Sequence, residues 1–219
     1  MKKQEAAGTL SLAHSYDHVE NVARNAATLG AYFAYNFGRK LVDTIEYARM
    51  TGYGHDVIRD TSQVESGEAA SAALLENLYF ERNIMDFVDP HNFKTYVVYM
   101  VRHSARSFEE MKKLFNNDKQ ALAIALALVA SDKMIEASGH RVLERRAFFV
   151  GKERLKEGKD LHDIFKYPDE STDAVLSETI VRLYGVNHVD NYKSDPALLT
   201  LAQELHSVQY PFYAGLLQS

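Results

Sequence analysis

Four side chains carry the clearest chemistry in this chain: His18, the adjacent pair His55-Asp56, and Asp132. Two imidazoles and two carboxylates suit a single divalent cation. Mn, Fe, Co or Ni in six-coordination, with water filling the remaining positions, is expected ahead of Zn or Mg. The chain has no cysteine, which excludes thiolate ligands, disulfides and cysteine nucleophiles and leaves His, Asp and Glu to do any coordination. Neighbouring residues on a helix project about 100° apart, so His55 and Asp56 can occupy adjacent positions on one ion. Each of the four taken singly has an ordinary reading, as a packed histidine or a helix-terminal aspartate. Their order and local context together carry the expectation of a metal.

The elements that must position them read as helices. Around His18 the apolar residues Val19, Val22, Ala23, Ala26 and Ala27 recur at three and four residues, and Leu29 and Phe33 continue the stripe. Leu74, Leu75, Leu78 and Tyr79 repeat the pattern. Residues 93–103, about 105–115, 119–138, 139–157, 171–184 and 196–207 read as further helices. Asp195-Pro196 has the form of an N-cap followed by proline at the first helical position, and Ser171 can cap the 171–184 segment. Tyr96–Val101 is rich in β-branched residues, but its flanks and length favour a buried helix. Asp132 closes the apolar run Ala121–Ala130, where a carboxylate is partly desolvated and needs a cation or strong donors. Loops are expected at 36–40, 58–63, 86–92, 158–170 and 185–195.

Composition narrows the function classes. The 219 residues suffice for one well-buried core, and the expectation is an all-α, single-domain helical bundle. With a formal net charge of −5 and no basic block, a nucleic-acid duplex is not an expected partner. The longest strongly apolar run is about ten residues, too short to span a bilayer, and no apolar stretch follows the charged N-terminus. A soluble, cytoplasmic protein is expected. The tail Tyr210–Leu217 is apolar and aromatic enough to dock on its own core or on a second subunit of a homo-oligomer.

The H…HD…D order resembles the HD-domain metal-dependent phosphohydrolases. At His18 the chain reads H-V-E-N-V-A, similar to that family's H-x-x-R-V-A with Asn21 where arginine is usual. His14, four residues earlier, resembles a subgroup with a second histidine there. Gly54-His55-Asp56-Val57-Ile58-Arg59-Asp60 looks like the family's H-D-I-x-[KR]. Ser66–Ala70 is similar to the small-residue helix start that follows, His103 to a histidine on a later helix, and Leu128–Met134 to the closing aspartate segment. The resemblance covers roughly residues 12–150, with 151–219 as a helical extension.

The resemblance implies an all-α fold with a metal held between helices by His18, His55, Asp56 and Asp132. Arg59 matches a phosphate-binding position, and guanidinium fits phosphate oxygens in bidentate fashion. His14 and His103 are candidates for phosphate contact or proton transfer. Asp60 and Glu65 are candidates for a general base or for orienting a ligand histidine, and Lys133 could neutralise developing charge. The position where two-metal relatives carry a further histidine falls in Thr61–Glu65, which has none, so one ion is expected. Gly52 and Gly54 before the HD pair weaken a helix by about 1 kcal/mol each, so the helix should end or pack unusually closely there.

The implied activity is hydrolysis of a small phosphorylated metabolite, nucleotides first, by metal-activated water. The alternatives are an HD-fold di-iron oxygenase and a non-catalytic metal- or nucleotide-binding module. Two other features have plainer readings. His162-Asp163 is a second H-D pair in an expected loop. Arg141, Arg145, Arg146, Lys152 and Arg154 beside Phe148 and Phe149 read better as a solvated helix face than as a basic wall for a nucleotide.

Overall fold

A computed structural model describes residues 16–58, 67–82, 88–137 and 182–211. Every regular element among them is helical. The chain divides into two compact units, one ending at Asp132 and the other running from Lys133.

In the first unit, α1 (Tyr16–Asn36) buries His18, Val19, Val22, Ala23, Ala26, Leu29 and Phe33, the stripe legible in the sequence. It ends in a tight reversal at Gly38, whose φ of 62° is cheap only for glycine. There Arg39 N–H returns to Ala34 O at 2.8 Å. Helix α2 (Leu41–Gly54) runs back along α1. Helix α3 (Gly67–Arg82) follows. Next comes a composite helix: α4 (Pro90–Phe93), a π-helical turn over Lys94–Val98, and α5 (Tyr99–Arg102). Asp89 caps it by accepting from Asn92 N–H, and Pro90 takes the first helical position. The helix therefore starts inside the expected 86–92 loop, because proline costs nothing where the N–H has no partner anyway. Tyr96–Val101 is helical as its flanks suggest, although nothing in its composition signals the π turn.

Helix α6 (Phe108–Leu114) opens with a reciprocal capping box between Ser107 and Glu110. Helix α7 (Lys119–Val129) begins at Asp118, whose carboxylate accepts from Gln120 and Ala121 N–H. Every residue of α7 from Ala121 to Val129 is buried, as expected of a helix apolar on all sides. It packs on both α1 and α2, and Gln120 Nε2 donates to Thr44 Oγ1 on α2 at 2.6 Å. Beyond Val129 the chain continues as a second π-helix, Ala130–Glu136. A second apolar cluster, Ala72, Phe93, Val97, Val98 and Val101, packs with Tyr47, Met50, Leu75 and Tyr79.

In the second unit, α8 (Pro196–Gln209) has the N-terminus expected from Asp195-Pro196: Asp195 accepts from Leu198 N–H. A short 3₁₀ turn, Val189–Tyr192, occupies the expected 185–195 loop. Tyr210 OH donates to Glu136 Oε2 at 3.1 Å, and Asn187 Nδ2 donates to Lys133 O at 3.1 Å. Tyr192, Glu136 and His206 are buried. The expected helix 139–157, most of 171–184, the Arg141–Arg154 cluster, His162 and residues 212–217 of the tail lie outside the described residues.

Burial pushes the His206 imidazole down to about 4. Unfolded, it titrates near its ordinary value of about 6.5. As pH falls from about 6.5 towards 4 the unfolded chain binds a proton that the folded chain does not, so acid lowers stability across that window. Thermal melts between pH 7 and 4 should show this loss reduced in His206→Phe. An identical pH profile in that variant would remove His206 from the account.

Candidate metal centre

His18 is the third residue of α1, and helix packing leaves its side chain fully buried. His55 and Asp56 lie just past α2: His55 is its C-cap, with φ −63° and ψ −32°, and its N–H still reaches Thr51 O at 2.9 Å. The helix thus ends at Gly54, one of the two outcomes the paired glycines suggested. Both His55 and Asp56 are 2% exposed. Asp132 sits within the π-helix that extends α7. Such turns are rare and often accompany functional sites, because they change which way following side chains face.

These three stretches of chain bring two imidazoles together and set a carboxylate of Asp56 and one of Asp132 against both of them. His18 Nε2 and His55 Nε2 lie 3.2 Å apart. Asp56 Oδ2 is 3.5 Å from each of them. Asp132 Oδ1 is 3.4 Å from His18 Nε2 and 3.6 Å from His55 Nε2. An ion about 2.1 Å from every donor would separate neighbouring donors by about 3.0 Å at right angles and about 3.4 Å at tetrahedral angles. The observed imidazole–imidazole and imidazole–carboxylate spacings run from 3.2 to 3.6 Å, from within that range to slightly beyond its tetrahedral end. The buried group able to hold an ion is His18, His55 and Asp56, and Asp132 lies against it through its contacts with both imidazoles.

Hydrogen bonding supports the same conclusion. His55 Nδ1 lies 2.8 Å from Gly52 O, and only a donor can bond a carbonyl, so the proton is on Nδ1. The lone pair of neutral His55 is then on Nε2, facing the other three donors. Ligand histidines are commonly oriented this way. The side chain of Asp132 is 14% exposed, which leaves the centre its solvent side there.

Electrostatics shows what the cluster lacks. Burial disfavours charge on His55, but Asp56, with Asp132 adding to it, outweighs burial and raises its pKa. Burial likewise opposes the Asp132 carboxylate, yet His18 and His55, when protonated, donate to it and hold its pKa well below the ordinary carboxylate range. Two carboxylates among neutral imidazoles leave two negative charges in a desolvated pocket, and either protons or a divalent cation must balance them.

The other sequence candidates fare differently. His103 is the C-cap of α5, accepts from Arg106 Nε at 3.2 Å and packs edge-on against Tyr99. Burial, Arg106 and Arg102 lower its pKa. No hydrogen bond or ion pair joins it to the four donors. Lys133 begins the second unit, where its carbonyl accepts from Asn187. His14, Arg59, Asp60 and Glu65 lie outside the described residues.

Sequence reasoning missed Ser71. This buried α3 residue accepts from Ile58 N–H at 3.0 Å and donates to Ile58 O at 3.2 Å, fixing the chain two residues beyond Asp56. A lone serine among alanines gives no sequence signal of such a role. Comparison of the chain with family models, with curated proteins and with solved structures finds no match.

Two outcomes are expected. Ser71→Ala strands both polar groups of Ile58 and should cost about 1–3 kcal/mol in urea denaturation; no change would show that water replaces the hydroxyl. The second concerns pH. In metal-free protein the stability contributed by the raised His55 pKa is full below about 6.5 and lost as pH rises through its folded value. That from Asp132 is full above about 4 and lost as pH falls through its depressed value. A cation needs His55 deprotonated, so the rise in melting temperature on adding Mn(II) or Co(II) should grow from about pH 6 to about pH 8. A shift that shrinks with rising pH would contradict the assignment of His55 as a ligand.

Proposed function

We propose that the chain is a metal-dependent phosphohydrolase of the HD type, with one divalent cation held by His18, His55, Asp56 and Asp132. The observation that carries the reading is the buried group of His18, His55 and Asp56, with Asp132 Oδ1 within 3.4–3.6 Å of both Nε2 atoms. The residues stand in the H…HD…D order that the family resemblance rests on. The proposed substrate is a small phosphorylated metabolite, with nucleotides the first class to test.

When bound, the cation supplies Lewis acidity to a phosphoryl oxygen and lowers the pKa of water. The chain's own groups divide the remaining work. Gly52 O holds the His55 ring, and Ser71 holds Ile58, so that the HD pair is fixed from both sides. Arg59 follows Ile58 directly and is the proposed phosphate-binding cation. His14, Asp60 and His103 are the proposed sources of phosphate contact and proton transfer, of which His103 keeps its Nδ1 on Arg106. Thr61–Glu65, where two-metal relatives carry a further histidine, has none, which supports one ion over the two-iron arrangement of an oxygenase.

The test is phosphate and pyrophosphate release from a nucleotide panel by metal-stripped protein reloaded separately with Mn(II), Fe(II), Co(II), Ni(II) and Mg(II). His55→Ala should abolish release, and His162→Ala, the second H-D pair, should retain it. One bound ion per chain without release from any phosphorylated compound would replace the hydrolase with a binding module. Two irons per chain would replace it with an oxygenase.

A further inference from the structure

We infer that Gly52 is a positioning residue for the metal centre, required both for its missing side chain and for its carbonyl. The inference rests on the metal reading above and adds a residue that the H…HD…D pattern does not contain.

Two independent contacts meet at this glycine. On one side it touches α1. A methyl group at Gly52 would lie 2.5 Å from Ala23 Cα, 2.8 Å from Ala23 N and 3.1 Å from Val22 C. All three are backbone atoms, so no rotamer change relieves the clash and the helices would have to separate. Ala23 is five residues beyond His18 on α1, and Gly52 is three residues before His55 on the last turn of α2. The distance between the helices at this point therefore sets whether His18 Nε2 can reach within 3.2 Å of His55 Nε2. On the other side, the Gly52 carbonyl accepts the Nδ1 proton of His55 at 2.8 Å. That bond fixes both the ring's orientation and the atom that carries the lone pair. Any substitution that pushes the last turn of α2 away from α1 moves this carbonyl too, so one change disturbs the ligand separation and the ligand tautomer together.

Gly30 provides an internal control. It lies on the same α1–α2 seam, and a methyl group there would meet Ala48 Cβ at 2.9 Å and Thr44 O at 3.3 Å. It bonds to no metal ligand. A purely structural role for the seam predicts that Gly30→Ala and Gly52→Ala behave alike.

The test is titration of metal-stripped full-length protein with Co(II) by calorimetry, alongside thermal melts. Gly52→Ala should weaken Co(II) binding by about 10–100-fold, the loss typical of a disturbed ligand partner. Gly30→Ala should lower the melting temperature and keep the wild-type affinity. Should Gly52→Ala fail to fold, the wild-type chain decides. In ¹⁵N-histidine spectra of the Zn(II)-loaded protein, His55 should show a protonated Nδ1 and a ligated Nε2. Equal affinity losses in the two variants or unchanged affinity in Gly52→Ala would overturn the inference while leaving the metal reading intact; a protonated Nε2 on His55 would overturn the inference and His55 as a ligand together. Absence of Co(II) binding by the wild type would overturn both.

Discussion

One buried and one mostly buried carboxylate beside two imidazoles are the constraint on which the rest of the first unit depends. Asp56 is 2% exposed and lies 3.5 Å from two imidazole nitrogens, with Asp132 Oδ1 against the same nitrogens. Such a group is stable only if positive charge enters it, as protons on the histidines or as a cation. The raised His55 pKa and the depressed Asp132 pKa express that demand. A divalent cation meets it while leaving the imidazoles neutral.

Keeping these four side chains together takes three helices with little freedom to adjust. Helices α1 and α2 meet backbone to side-chain-free backbone at Gly52, so the His18–His55 distance is set by main-chain contact. Helix α7, apolar on every face from Ala121 to Val129, packs against both. Its apolar surroundings make the carboxylate that follows it costly to leave uncompensated. The π turn then carries Asp132 to the cluster. Ser71 secures the chain on the far side of the HD pair through both backbone groups of Ile58. The site therefore rests on elements held by their own hydrogen bonds and packing.

The second unit follows a different logic. Its described residues bury Glu136, Tyr192 and His206 without bringing metal-ligand atoms together. Tyr210 bonds Glu136, and the His206 ring packs beside Tyr210 at 5.0 Å. Buried polar groups held in this way specify one arrangement of the chain, at the expense of a sensitivity to acid that an apolar core would lack.

The sequence by itself determined the helical character of the chain, because apolar residues at three- and four-residue spacing bury only as helices. It located the N-terminus of α8 through Asp195-Pro196, the burial of α7 through its composition, and the buried group of His18, His55 and Asp56 through type and order. It also marked Gly52 and Gly54 as a place of helix ending or close packing. Only the tertiary structure decided what each glycine meets: Gly54 ends α2 and packs against the Leu75 side chain, while Gly52 admits the α1 backbone and its carbonyl bonds His55. The π turns at Lys94–Val98 and Ala130–Glu136, the Ser71–Ile58 bonds and the contact of His103 with Arg106 were equally illegible. The physical reason is common to all of them. Periodicity and residue type report which face of an element is buried. Which atoms meet across elements depends on interhelical distance and register, and those are settled only when the whole core packs.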